Sequence, residues 1–238
     1  MTSAIQDMSS VELLSPTGQL RLARPGPTED AAVLQNRTHP GTRKYLKFLP
    51  EHLTIDEARQ LRESRARDST MVDFNIHLIT DKEIGTEVFA GTTACFNINE
   101  TFKSCEVGIL IAPQLLRGGI ATEAIYTVLR WIFEEKQLHR VTFETGIDNL
   151  PMQRWLEDVA GAKLEALRRE CWRNVDGTYT DVRGYSILDL EWNESVKSRL
   201  EAKLGLKNRT RKSGCQYRFA GLKIREFKAD LRLLQYME

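Results

Sequence analysis

Residues 106–122 constrain the fold of this 238-residue chain more than any other stretch. An apolar run at residues 107–112 leads through a loop that starts with proline into Gly118 and Gly119, and an amphipathic pattern follows at once. Glycines let the backbone come close to a ligand, and several amide N–H groups point the same way at the positive end of a helix dipole. The stretch therefore predicts a strand, a loop and a helix start that form a pyrophosphate cradle.

Two common phosphate loops do not fit this stretch. The chain has no Gly-x-x-x-x-Gly-Lys-Ser/Thr sequence, which is the loop of nucleotide hydrolases. It also has no Gly-x-Gly-x-x-Gly followed about 20 residues later by an acidic residue, the pattern of dinucleotide-binding folds. Neither class is supported.

The order of elements around the loop is a second, independent observation. Alternating apolar residues predict strands, and apolar residues at helical spacing after capping residues predict helices. The predicted strands are residues 19–24, 73–80, 88–98, 105–112, 140–146, 163–174 and 180–190. The predicted helices are residues 28–36, 55–67, 119–136, a short one that ends near residue 161, and 194–204.

The loop and the element order together resemble the GNAT superfamily of N-acetyltransferases. Its loop pattern, Gln/Arg-x-x-Gly-x-Gly/Ala, falls on residues 116–121, where Gly119 and Ala121 match. Leu116 departs from the pattern, and Arg117 offers a cation one place later. Residues 181–192 are similar to the end of the ribosomal-protein branch, the RimJ/RimL-like enzymes. The resemblance implies an α/β (α+β) fold with a mostly antiparallel, twisted sheet of about seven strands flanked by about four helices.

The resemblance also implies an activity, the transfer of acetyl from acetyl-CoA to a primary amine by direct attack in a ternary complex. The amine must lose a proton, the thioester carbonyl must be polarised and the thiolate must leave. Acetyl-CoA is then a co-substrate, and no metal is expected. The residues expected to bind acetyl-CoA are Ile109, Leu110, Ile111, Arg117, Gly118, Gly119, Ile120, Ala121, Thr122 and Asn149.

The proton acceptor is predicted among two glutamates. Glu144 lies where ribosomal-protein alanine acetyltransferases carry their base, and Glu106 is the second candidate. A carboxylate buried beside the cleft would have a raised pKa, which suits a base. The tyrosine that often donates a proton to the thiolate in this family is replaced by Leu156, so no general acid is carried over. Asn149 has a second possible role as a helix cap.

The acceptor amine is left open between a small molecule and a protein N-terminus. The segment 37–52 is basic, with Arg37, Arg43, Lys44 and Lys47, and favours an acidic or phosphorylated acceptor unless it is only a solvated face. A rival hypothesis is a non-catalytic acyl-CoA-binding or interaction module that keeps the fold. A third, less favoured, is nucleic-acid binding through residues 206–238, which carry nine Lys or Arg and three acidic residues.

The predicted organisation is a flexible leader at residues 1–18, an acetyltransferase domain at 19–192 and a helical, basic extension at 193–238. No apolar run reaches the length of about 18 residues needed to span a membrane. Four cysteines without a Cys-x-x-Cys pair argue against a zinc site and favour reduced thiols in the cytoplasm. The chain is expected to work as a monomer or a homodimer.

Overall fold

The computed structural model of the protein describes residues 11–81 and 84–206. The predictions for residues 1–10 and 207–238, which include almost all of the basic segment, lie outside the described residues.

Eight strands form one sheet in the order β1-β2-β3-β4-β5-β6-β8-β7. All neighbouring pairs are antiparallel except β5 and β6, which run parallel. The strands are β1 Leu13–Leu14, β2 Leu20–Ala23, β3 Val72–Asp81, β4 Thr86–Asn99, β5 Ser104–Ile111, β6 Arg140–Gly146, β7 Lys163–Arg173 and β8 Tyr179–Leu188. The predicted fold class and its mostly antiparallel sheet are confirmed.

Helices flank the sheet and connect its strands. Three of them continue into a single π-helical turn, at residues 131–135, 155–160 and 192–196. The α-helices are α1 Asp30–Thr38, α2 Pro40–Arg43, α3 Ile55–Arg67, α4 Ile120–Arg130, α5 Leu150–Arg154, α6 Asp189–Glu191 and α7 Lys197–Lys203. Helix α3 starts at the predicted capping box, in which Thr54 and Glu57 each bond the other's backbone N–H.

The parallel pair β5 and β6 separates partway along its length. Pairing runs from Ser104 opposite Arg140 to Glu106 opposite Thr142, and no later pair joins the two strands. Beyond that point β5 stays paired with β4 as far as Ile111, and β6 stays paired with β8 as far as Gly146. The two strands therefore diverge, and the edge of β5 that faces β6 has no strand partner among the described residues.

Helix α4 is the central helix of the core. Its amphipathic pattern puts Ala124, Ile125, Val128 and Leu129 in full burial against the sheet. Each buried side chain of leucine size stabilises the fold by about 2 kcal/mol, so α4 is held rigidly. The helix start that follows the predicted loop is therefore anchored to the sheet.

The packed domain extends beyond the predicted end at residue 192. The helical stretch that begins with α6 runs on through α7 and buries Trp192, Val196 and Leu200. The Trp192 ring lies 5.7 Å from that of Tyr126 on α4, and the Tyr126 hydroxyl donates to Glu201 at 3.0 Å. Residues 193–204 are thus part of the core packing, not a separate extension.

The predicted leader is also partly structured. Leu13 and Leu14 form β1 and pair with Leu22 and Arg21, so residues 11–18 are not all a loose segment. The side chains of Ser15 and Thr17 are buried, although the polar pattern of residues 11–18 suggested exposure. Backbone pairing with β2 explains why so short an apolar run becomes a strand.

Within the two described ranges, the helices are all too short or too polar to cross a lipid bilayer.

Candidate active site

A cavity of about 320 Å³ opens where β5 and β6 diverge. It extends from this opening to α1 and α3, which cover the same side of the sheet. Five residues predicted for the site line it: Glu106, Ile109, Leu110, Glu144 and Asn149. Ile111 does not line it, because its buried side chain lies where β5 pairs with Gly91.

Gly91 holds β5 in place at this opening. Its φ is +144°, and a Cβ built on it would lie 2.1 Å from the Leu110 carbonyl oxygen and 2.9 Å from Ile111 Cα. No side chain fits at such a distance from backbone atoms, so only glycine permits β4 to approach β5 this closely. The position of the free β5 edge therefore depends on Gly91.

The predicted cradle has the backbone that a phosphate site needs. Gly119 precedes α4 with φ +81°, and no side chain caps the first amides of the helix. A Cβ at Gly119 would meet no atom of the described residues within 4 Å, so there is open space beside the start of α4. Arg117 has φ +68°, an uncommon conformation for a residue other than glycine, and its side chain is exposed. Open, uncapped amides beside an exposed cation fit the phosphates of CoA.

The other predicted cradle residues divide between ligand-accessible and packed positions. Ala121 is half-buried, whereas Ile120 and Thr122 are buried. The Thr122 hydroxyl accepts a hydrogen bond from Trp155 Nε1 at 3.0 Å, which ties the first turn of α4 to the segment after α5. Their assignment to acetyl-CoA remains a prediction.

The two candidate bases lie near each other but differ in their partners. Glu144 Oε1 forms an ion pair with Arg168 Nη1 at 2.8 Å. Glu106 accepts one hydrogen bond, from Asn97 Nδ2 at 3.1 Å. Burial, and then the negative charge of Glu144, raise the pKa of Glu106 above its ordinary value, against the opposing effects of Asn97 and Arg168. Of the two carboxylates, Glu106 is the less engaged.

Arg168 reaches Glu144 across an intervening strand. It lies on β7, Glu144 lies on β6, and β8 runs between them with Gly184 opposite Glu144. A Cβ on Gly184 would be 2.5 Å from Arg168 Nη1, so the missing side chain leaves room for the guanidinium. Sequence reasoning missed Arg168, because the strand order that brings it to Glu144 is not visible in the chain.

Asn149 caps helix α5, which is the second role predicted for it from the sequence. Its side-chain oxygen accepts from the Met152 backbone N–H at 3.3 Å at the start of α5, while the residue also lines the cavity. Leu156 is fully buried, and the Tyr185 hydroxyl donates to Glu157 at 2.6 Å. Neither Leu156 nor Tyr185 therefore offers a proton donor to the cavity. The roles predicted for Asn149 and for the two glutamates stay predictions.

The cavity lining contains an aromatic pair and two ion pairs. Phe48 and Trp172 meet edge to face with ring centroids 5.1 Å apart, and both line the cavity. The neighbouring ion pairs are bidentate: Arg62 binds Asp30 and Arg65 binds Asp73, at 2.6 to 3.1 Å. These contacts link α1, α3 and β3 into one rigid wall.

The basic segment predicted to meet the acceptor is mostly engaged elsewhere. Arg43 Nη2 pairs with Glu51 at 2.7 Å, Lys47 pairs with Asp148 at 2.6 Å, and Lys44 lies over the Tyr45 ring. These three cations belong to the outer surface. Arg37, on α1, is different because its side chain lines the cavity.

The comparisons with known proteins agree with this geometry. The sequence profile of the family described as the acetyltransferase (GNAT) domain matches residues 19–160. The chain is 24% identical over 193 residues to YdaF of Bacillus subtilis, provisionally named a ribosomal N-acetyltransferase, covering 80% of this chain and 97% of YdaF.

Solved structures share the fold. A protein from T. thermophilus, provisionally described as an acetyltransferase, is 27% identical with a TM-score of 0.66, covering 78% of this chain and 94% of that one. Mycobacterium smegmatis RimJ, solved with CoA-disulfide, is 24% identical with a TM-score of 0.65, covering 82% of this chain and 93% of RimJ.

The predicted superfamily is confirmed by the family profile, and the names of YdaF and RimJ point to the predicted branch. Three separate observations indicate the same family: the diverging parallel strands, the open cradle before α4 and the matched profile. The chain belongs to the GNAT acetyltransferase family.

Proposed function

We propose that the protein transfers the acetyl group of acetyl-CoA to a primary amine, which is a small molecule or a protein N-terminus. One observation carries the proposal: the edge of β5 that has no strand partner among the described residues and a half-buried carboxyl of raised pKa, Glu106, line the same cavity. A free strand edge supplies hydrogen-bonding groups for an extended ligand, and the carboxyl supplies a base.

The residues expected to hold acetyl-CoA form two groups. The first amides of α4, after Gly119, suit the pyrophosphate because they are uncapped and have open space beside them. The free edge of β5 suits the amide-bearing arm of CoA. Bound acetyl-CoA supplies the thioester carbon that the amine attacks.

Glu106 is our choice for the base, ahead of Glu144. A primary amine is an ammonium ion at neutral pH and must lose a proton before its nitrogen can attack. Glu144 is engaged in an ion pair with Arg168, so its carboxylate is less free to contact the amine. Glu106 has a raised pKa and a single hydrogen bond from Asn97, so it accepts a proton more readily. The negative charge of Glu144 supports it in this role.

No side chain is proposed as a general acid. The tyrosine hydroxyls of Tyr126 and Tyr185 both donate to glutamates away from the cavity lining. A CoA thiolate is a stable leaving group at neutral pH and can depart without a strong acid. Solvent then supplies the proton.

The test is steady-state release of CoA with a panel of primary amines, for the wild type and three glutamine variants. We expect Glu106→Gln to lower kcat by about 10² to 10⁴, the usual contribution of a general base. Acetyl-CoA binding should be unchanged, since the cradle is untouched. The control is Glu100→Gln, whose carboxylate is exposed in the turn between β4 and β5 and pairs with Lys103.

Glu144→Gln distinguishes the alternatives. A collapse of kcat in this variant alone would give the role of base to Glu144, as the resemblance to the family first suggested. Binding of acetyl-CoA without turnover of any amine by the wild type would refute the enzyme and leave an acyl-CoA-binding module.

A further inference from the structure

Arg37 is a cation at the wall of the cavity that forms no ion pair with any described residue. Three arginines line this wall, and two of them form bidentate ion pairs, Arg62 with Asp30 and Arg65 with Asp73. In the part of the chain that the structure describes, no hydrogen bond or ion pair engages Arg37, and its Nε is buried without a partner. The Arg37 side chain is half-buried and its Nε is fully buried, and buried polar groups in proteins are normally paired, so a ligand is expected here.

The position of Arg37 follows from the packing of α1 against the sheet. The preceding residue, Asn36, donates from Nδ2 to the Leu110 carbonyl at 3.4 Å and accepts from the Thr42 hydroxyl at 3.4 Å. The end of α1 is therefore fixed to β5 at Leu110. Burial, and then the charge of Arg65, lower the pKa of Arg37 against the effect of Asp73, so an anion near the guanidinium would relieve an electrostatic cost.

The charges along the cavity are separated. Glu106 and Glu144 line the end where β5 and β6 diverge, and Arg37 lines the wall formed by α1 and α3. Glu144 is paired with Arg168, so Glu106 is the acid and Arg37 the cation that line the cavity without an ion-pair partner among the described residues. A ligand with an amine at one end and an anion at the other would match both.

We propose that the acceptor is a primary amine that carries a carboxylate, with its amine at Glu106 and its carboxylate on Arg37. This inference rests on the proposed function and names the acceptor class for the same site. The carboxylate comes either from a free amino acid or from an acidic first residue of a peptide. Arg37 binds and selects the acceptor and does not take part in proton transfer.

A carboxylate matches the site better than a phosphate. Arg37 supplies one unpaired positive charge, and a guanidinium forms two parallel hydrogen bonds to a carboxylate. A phosphate group brings nearly two negative charges into a cavity that already holds Glu106 and Glu144. The additional charge would have no counter-ion among the described residues that line the cavity.

The test compares matched amines. The free acceptors are glycine, β-alanine and γ-aminobutyrate, and their controls are alkylamines of the same chain length without the carboxylate. The peptide acceptors are C-terminally amidated tripeptides that begin with Glu or with Ala. Turnover is followed as CoA release, and phosphoethanolamine is included as the phosphate counterpart.

The variants separate charge recognition from damage to the fold. We expect the wild type to favour the best amino acid or Glu-peptide over its control by at least tenfold in kcat/KM. Arg37→Gln should remove most of that preference through KM, because its loss on the amino acid or Glu-peptide exceeds its loss on the control amine, and Arg37→Lys should keep part of it. Arg59→Gln is the matched control, because Arg59 lies on α3 with an exposed side chain that pairs with Asp56.

A second readout does not depend on turnover. Titration of γ-aminobutyrate into the CoA-loaded protein should give binding that weakens at least tenfold in Arg37→Gln and is unchanged in Arg59→Gln.

Three results would overturn the inference while leaving the proposed function intact. These are equal turnover of amines with and without a carboxylate, an equal loss on both kinds of amine in Arg37→Gln, and a preference for phosphoethanolamine. Failure of the wild type to bind acetyl-CoA is a separate outcome, since it would refute the proposed function and this inference together.

Discussion

Replacing Gly119 by alanine should weaken acetyl-CoA binding far more than it destabilises the fold. Gly119 has φ +81°, and a Cβ there would contact no atom within 4 Å. The loss of stability therefore comes from backbone strain alone, and a left-handed conformation costs a non-glycine residue about 1 kcal/mol. For a domain of this size, that free energy lowers Tm by about 2–4 °C.

The effect on binding has a different origin. The added methyl group would occupy the open space beside the start of α4, where the pyrophosphate is proposed to lie. We expect the Kd for acetyl-CoA to rise at least tenfold, which corresponds to about 1.4 kcal/mol. Isothermal titration measures the Kd, and thermal denaturation measures the loss of stability that the backbone strain causes.

Gly177→Ala is the matched control. Gly177 lies in the turn between β7 and β8 with φ +85°, and a Cβ there also meets nothing within 4 Å. The two variants should lose similar stability, and only Gly119→Ala should lose affinity. Equal acetyl-CoA affinity in both variants would refute the placement of the pyrophosphate at this helix start.

Two further predictions concern the pH profile and the β4–β5 contact. Arg168→Met removes a charge that lowers the pKa of Glu106, so the acidic limb of the kcat/KM profile should move to higher pH. Glu144→Gln removes a charge that raises this pKa, so the same limb should move to lower pH. A profile that stays in place in both variants would exclude Glu106 as the titrating base. Gly91→Ala should cost about 3 kcal/mol or more in urea denaturation, because its Cβ would clash with backbone atoms of Leu110 at a strained φ. If Gly91→Ala loses only as much stability as Gly119→Ala, then β4 and β5 do not approach each other this closely at Gly91.

The order of strands and helices was readable from the sequence because periodicity and caps are local. The strands around residues 73–80 and 140–146 and the helix at residues 55–67 were predicted nearly to the residue. Several short elements were missed, among them α2, β1 and α6. Helix α2 begins at Pro40, a favoured first position of a helix, yet the segment was interpreted as a loop. Strand β1 exists only because β2 pairs with it, and pairing is not local.

The site was predicted only in part, because its chemistry depends on contacts between distant segments. The divergence of β5 and β6 places Glu106 and Glu144 in one cavity, and both were identified from their strands. Which of them is free depends on Arg168, which arrives from β7 across Gly184. The preference for Glu144 came from the resemblance to the family alone, and the pairing in this chain now favours Glu106.

The choice of the arginine that binds the acceptor also depends on contacts between distant segments. Arg37, Arg62 and Arg65 lie on two neighbouring helices, and only Arg37 was named from the sequence, as one cation of the basic segment 37–52. The structure distinguishes them, because aspartates form ion pairs with Arg62 and Arg65, whereas Arg37 forms no ion pair with a described residue. A charge already paired within the protein contributes little to ligand selection, whereas an unpaired one favours a ligand of opposite charge. Acceptor specificity in this fold is therefore better sought in the unpaired charges of the cavity wall than in the total charge of the segment that covers it.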